Sequence, residues 1–129
     1  MSLTPSIPNA FDPDGVGRRG TLFGLPFSPE EARVVILPVP WEVTVSYRAG
    51  TAGGPAAVLE ASPQIDYWVP GIPEAWKTGI ALLPLSAAWA ARGAALRKDT
   101  AAYLEWLENG ERGQTDLSGF LPSLDSACQ

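Results

Sequence analysis

The sequence predicts an α/β fold organised on a parallel sheet, and three stretches predict it. VVILPVP, residues 34–40, is a continuous β-branched and apolar run without alternation, the pattern of a strand covered on both faces. TGIALLPL is a second such run and places a strand at about residues 78–83. Between them PAAVLEAS forms a short helix whose Ala57, Val58 and Ala61 can face the sheet, entered through Gly53, Gly54 and Pro55. Proline biases its predecessor away from helical backbone, so the Ser62-Pro63 step is expected to end that helix.

The remaining elements follow in chain order. Residues 1–27 are punctuated by Pro and Gly with isolated rings at Phe11, Phe23 and Phe27, which reads as an extended arm pinned by those rings. In SPEEAR, Ser28 is placed to cap a helical turn, Pro29 suits its first position and Glu31 reaches back, so one or two turns are expected. QIDYWVP is a short extended segment with Ile65 and Tyr67 on one side and Asp66 and Trp68 on the other. From Ser86 to Glu108 the chain is Ala-rich, with Trp89, Leu96, Tyr103 and Leu107 on one helical face. Gly93 or Asp99-Thr100 are the candidate breaks in it, and ENGERG ends it with residues that tolerate left-handed backbone. Three regions result: the arm at 1–27, an α/β segment at 28–110 and an irregular tail at 111–129.

Composition narrows the function. Thirteen Gly and thirteen Pro signal many turns, and 46% apolar residues are enough for a packed core. A net charge of -5 gives no long-range attraction to nucleic acid or anionic lipid, so neither is expected as a partner. The N-terminus has no basic and apolar leader pattern and no run spans a bilayer, so the expected location is cytoplasmic. The chain has no histidine, which removes Ser-His, Cys-His and His-metal chemistry together. Its one cysteine, Cys128, lies next to the C-terminus and reads as an inert thiol.

Two short motifs invite chemistry and lack its context. GVGRRG, residues 15–20, has the spacing of a dinucleotide-binding turn, but neither a strand precedes it nor a helix follows it, and it reads as a glycine turn with solvated arginines. The carboxylates Asp12 and Asp14 flank Pro13, for which an Asx-type turn is a simpler account than a cation site. The loop after the first strand is more suggestive. Thr44, Ser46, Tyr47 and Thr51 lie at the carboxyl end of that strand, where α/β sheets place ligands, and Arg48 is the loop's cation. It lacks the lysine of a phosphate loop, and two readings stand: a ligand-lining loop, or a connector packed between strand and helix.

The stretch VVILPVPWEVTVSYRAGTAGGPAAVLEASPQIDYW resembles the first strand, loop and helix of the ureohydrolases, the arginase and agmatinase family. Their S-x-R-x-G-T-x-x-G-P loop and following Q-x-D are matched by Ser46, Arg48, Gly50, Thr51, Gly54, Pro55, Gln64 and Asp66. The flanking FDPDGVGRRGTLFGLPF and IPEAWKTGIALLP are similar to a longer-armed agmatinase-like branch that includes nickel-dependent guanidine hydrolases. The resemblance implies the N-terminal part of a three-layer αβα, arginase-like fold with a mainly parallel sheet, incomplete in this chain. It also implies two divalent metal ions, Mn or Ni, hydrolysis of a guanidino C-N bond with release of urea, and homo-oligomers among full-length relatives.

The family's ligand motifs G-G-D-H, D-A-H-x-D and D-x-D-x-x-D are absent here, so no metal or catalytic residue is carried over. The expectation is the opening portion of a ureohydrolase, itself inactive, with exposed sheet edges. Ser46, Arg48 and Thr51 are its candidates for a substrate or rim loop. The alternative is a non-catalytic interaction protein that docks on a full-length ureohydrolase through its open sheet edge.

Overall fold

The computed structural model describes residues 11–45, 47–110 and 117–128. They form two compact units: one holds the described residues up to Val39 together with Gly53–Ser86, the other Pro40–Ala52 with the described residues from Ala87 onward.

The first unit holds the sheet. Strand β1, Val34–Ile36, pairs in parallel with β2, Ile80–Leu82, in the register Val34 to Ile80, Val35 to Ala81 and Ile36 to Leu82. Gly79, at φ 71, presents its carbonyl to the N–H groups of Arg33 and Val34, and Leu83 N–H closes the other end on Ile36 O at 2.9 Å. The helix α1, Gly54–Ala61, falls between the two strands in sequence. This is an α/β arrangement with a small parallel sheet, consistent with an incomplete three-layer αβα fold.

Both strands are shorter than expected, and β1 departs further from the sequence reading. Pro38 and Pro40 have no N–H to offer a ladder, so pairing stops before them. Instead of being covered on both faces, Val34, Val35 and Ile36 stay 41%, 43% and 40% exposed, because among the described residues the sheet has two strands. The expected exposed apolar edge is therefore present.

The described part of the arm is pinned by Phe11 and Phe27 as expected, and by leucines and backbone as well. Leu22, Leu25 and Phe27 are buried, and Phe11 packs against Trp76 and Tyr67 with centroids 5.0 and 6.1 Å apart. Phe23 sits in a 3-10 turn, Leu22–Gly24, at φ 57, and serves through its peptide groups. Its N–H donates to Ser62 Oγ at 2.9 Å and its carbonyl accepts from the Tyr67 hydroxyl at 2.7 Å. Burial pushes the Tyr67 phenol above its usual range.

The helix α1 ends at Ala61 with Ser62 as its cap, as expected, though not because Ser62 leaves helical backbone. Ser62 keeps helical backbone (φ -60, ψ -26) directly before Pro63, and the chain runs on as a 3-10 turn, Ser62–Gln64. Its hydroxyl donates to Leu59 O at 3.3 Å while holding Phe23, ties that outweigh the preference before proline. The glycine turn at 15–20 lies against this end: a Cβ on Gly17 would sit 2.6 Å from Pro63 O. Ser28 forms only a turn, in which the Glu31 carboxylate accepts from Ser28 N–H at 3.1 Å. Residues 65–68 form no strand; Val69 and Ile72 make an isolated antiparallel bridge beyond them.

The second unit is helical. The helix α2, Ala87–Glu108, runs unbroken for 22 residues. Gly93 does not break it, being where the Trp41 ring packs; a Cβ there would lie 3.2 Å from Trp41 Cε3. Nor does Thr100, which is buried and donates its hydroxyl to Leu96 O at 2.9 Å. Gly93 and Thr100 interleave with Trp89, Leu96, Tyr103 and Leu107 at helical spacing, so the small residues are the ones buried on that face. Gly110, at φ 68, closes the helix through Leu107 O, as its sequence predicts.

The tail is corrected: Phe120–Cys128 form a helix, α3, with Leu124 buried. Pro122 falls in its first turn, where a missing N–H costs nothing. Tyr103 stacks on Phe120 at 5.0 Å, and Arg92 donates to the Ala127 carbonyl. Residues 111–116 lie outside the described residues. Among those described, no helix is long and apolar enough to cross a membrane.

Candidate functional site

The loop over residues 43–52 is organised by one carboxylate that the sequence reading passes over. Glu42 is buried, and its Oε2 accepts Gly50 N–H at 2.7 Å and Ala52 N–H at 3.0 Å. Val43 beside it is buried, and its carbonyl accepts Arg97 Nη1 of α2 at 3.4 Å. The peptide N–H groups of Ala52 and then Gly50 hold the Glu42 carboxyl below its ordinary 4.5. Desolvation opposes them, and Thr51 N–H and the Arg97 charge assist. A signal for this residue is in the chain: Glu42 is the lone charge in WEVTV, and a buried charge needs donors, which the following glycine-rich loop supplies.

This anchoring leaves the polar side chains on the outside. Thr44, Tyr47, Arg48 and Thr51 are all exposed, and Gly50 turns the chain at φ 131. Of the sequence-predicted rim residues, Arg48 and Thr51 therefore share one solvent-facing loop, and Ser46 lies outside the described residues. A hydroxyl, a guanidinium and a phenol on such a loop can orient a polar ligand by hydrogen bonds.

The other sequence candidates settle into structural roles. Asp12 Oδ1 accepts Asp14 N–H at 3.0 Å and Asp12 O accepts Gly15 N–H, which is the Asx turn. In the first unit, Asp14, Asp66, Glu74, Tyr67, Trp68 and Trp76 line a groove of about 530 Å³. Two of these lining residues are engaged by Lys77, which pairs with Glu74 and lies 5.6 Å from the Trp76 ring centre. Gln64 and Asp66, the Q-x-D pair, are both exposed. Among the described residues no group of three or more His, Cys, Asp or Glu could hold a metal ion. The described residues thus do not fit the two divalent ions that the resemblance implies.

Comparison with known proteins brings in the ureohydrolases. Over 36 residues, 28% of this chain, it is 56% identical to the N(1)-aminopropylagmatine ureohydrolase of Synechocystis sp.. Over 46 residues, 35% of the chain, it is 46% identical to the protein of the same name from Thermus thermophilus. A segment of this chain is therefore similar to ureohydrolases. The matched stretch spans 12% of the Synechocystis protein's length and 16% of the Thermus protein's. No family model matches the chain, and no solved structure matches it.

Proposed function

We propose that this chain carries the opening strand, loop and helix of a ureohydrolase, the scaffold beside the metal centre of such an enzyme, and does not hydrolyse guanidino compounds by itself. The observation that carries the reading is the segment 46 to 56% identical to N(1)-aminopropylagmatine ureohydrolases. The parallel pairing of β1 with β2 and the exposure of β1 support it, since further strands beside β1 would complete a parallel sheet. The substrate class of the complete enzyme would be a small guanidino compound, with Arg48 and Thr51 on the loop facing its entry.

Inactivity follows from ligand chemistry. Metal hydrolysis of a guanidinium needs cations that lower the pKa of a bound water, and nitrogen and carboxylate ligands to hold them. A chain without histidine lacks the first ligand type. Incubated with Mn or Ni and guanidine, agmatine or arginine, it is expected to release urea no faster than the protein-free mixture, read by colorimetric urea assay. Metal-dependent release above that rate would overturn the reading of inactivity.

A further inference from the structure

We propose that Glu42 is an acid-sensitive latch: as a carboxylate it fixes residues 50–52 against the start of the loop, and protonation frees them. One oxygen, Oε2, takes both Gly50 N–H at 2.7 Å and Ala52 N–H at 3.0 Å. Charge-assisted bonds of this kind are about twice as strong as neutral ones, so neutralising the carboxyl weakens both at once. Gly50, at φ 131, has backbone freedom that other residues lack, so the segment can move once its two bonds are released.

The charged side chain acting on Glu42 is Arg97, from α2, which also holds Val43 O at 3.4 Å. Arg97 stays protonated throughout the acidic range, so the titrating partner is Glu42. With the folded-state value below 4.5, the latch is fully set above pH 4.5 and opens as the pH falls through that lower value. Opening would let Arg48 and Thr51 leave their set positions, and that consequence rests on the proposed role of the loop in a ureohydrolase. The latch itself does not depend on that role.

The test is amide hydrogen exchange between about pH 3 and pH 6, corrected for intrinsic rates, on the whole chain and on Glu42→Gln. In the unsubstituted chain, protection of the Gly50 and Ala52 amides is expected to drop roughly tenfold in one step with its midpoint below 4.5, while the α2 amides keep theirs. In Glu42→Gln the two loop amides are expected to exchange fast at every pH with α2 still protected. If Glu42→Gln fails to fold, the step in the unsubstituted chain decides alone. Protection without a step, a step shared by the α2 amides, or wild-type protection in Glu42→Gln would each overturn the latch. A failed ureohydrolase reading would leave these exchange results unchanged.

Discussion

Gly24→Ala is expected to destabilise the chain by about 3 kcal/mol or more, because conformational strain and a backbone clash add there. Gly24 sits at φ 69, where a Cβ is strained, and that Cβ would lie 2.7 Å from Gly17 Cα and 3.0 Å from Arg18 N. These are backbone atoms that cannot swing aside. The turn must therefore open, losing the bond from Arg18 N–H to Gly24 O and loosening the buried Leu22 and Leu25 on either side. Gly20→Ala separates the two causes. It has φ 83 but nothing within 4 Å of its Cβ position, so it carries only the conformational cost, about 1 to 2 kcal/mol. Denaturation midpoints of the two variants check the ranking, and equal shifts would show that the close approach of 17 and 24 is not what holds the arm.

Ser62→Ala is expected to cost about 1 to 3 kcal/mol, because it leaves the Phe23 N–H in a part-buried position without its acceptor. Tyr67→Phe removes the other tie to the same residue, the 2.7 Å bond to Phe23 O, and is expected to cost less, about 1 kcal/mol. A carbonyl tolerates the loss of one donor better than an N–H tolerates the loss of its acceptor. Both ties converge on one peptide held at φ 57, so the double variant should lose less than the sum of the two. Thermal or chemical melts of the single and double variants measure this, and strict additivity would show that the two bonds act independently.

The α/β class and the parallel pairing were legible because two uninterrupted apolar runs with a short helix between them have few other interpretations. Strand length was misjudged at Pro38 and Pro40: apolar content carried the reading past residues that cannot donate to a ladder. Leu22 opens a 3-10 turn and Leu25 follows it in extended backbone, without periodicity, so no pattern distinguishes them from the exposed Val16. The helix α3 is hidden because the tail shows no strong apolar period, and Pro122 is accommodated in its first turn. On the candidate loop the pattern picks out Arg48 and Thr51, both exposed, whereas Glu42 requires asking how a lone charge among apolar neighbours is satisfied. Distant pairs such as Phe23 with Ser62 leave no trace in local spacing.

If a stretch of this chain is the same structural unit as the segment it matches in a ureohydrolase, the two are interchangeable in a chimera. In the Thermus thermophilus N(1)-aminopropylagmatine ureohydrolase, the matching segment is replaced by the corresponding residues of this chain, and urea release is measured beside the parent enzyme. A folded chimera with a rate within about tenfold of the parent is expected. A chimera that fails to fold, or folds yet releases no urea, would overturn the shared unit.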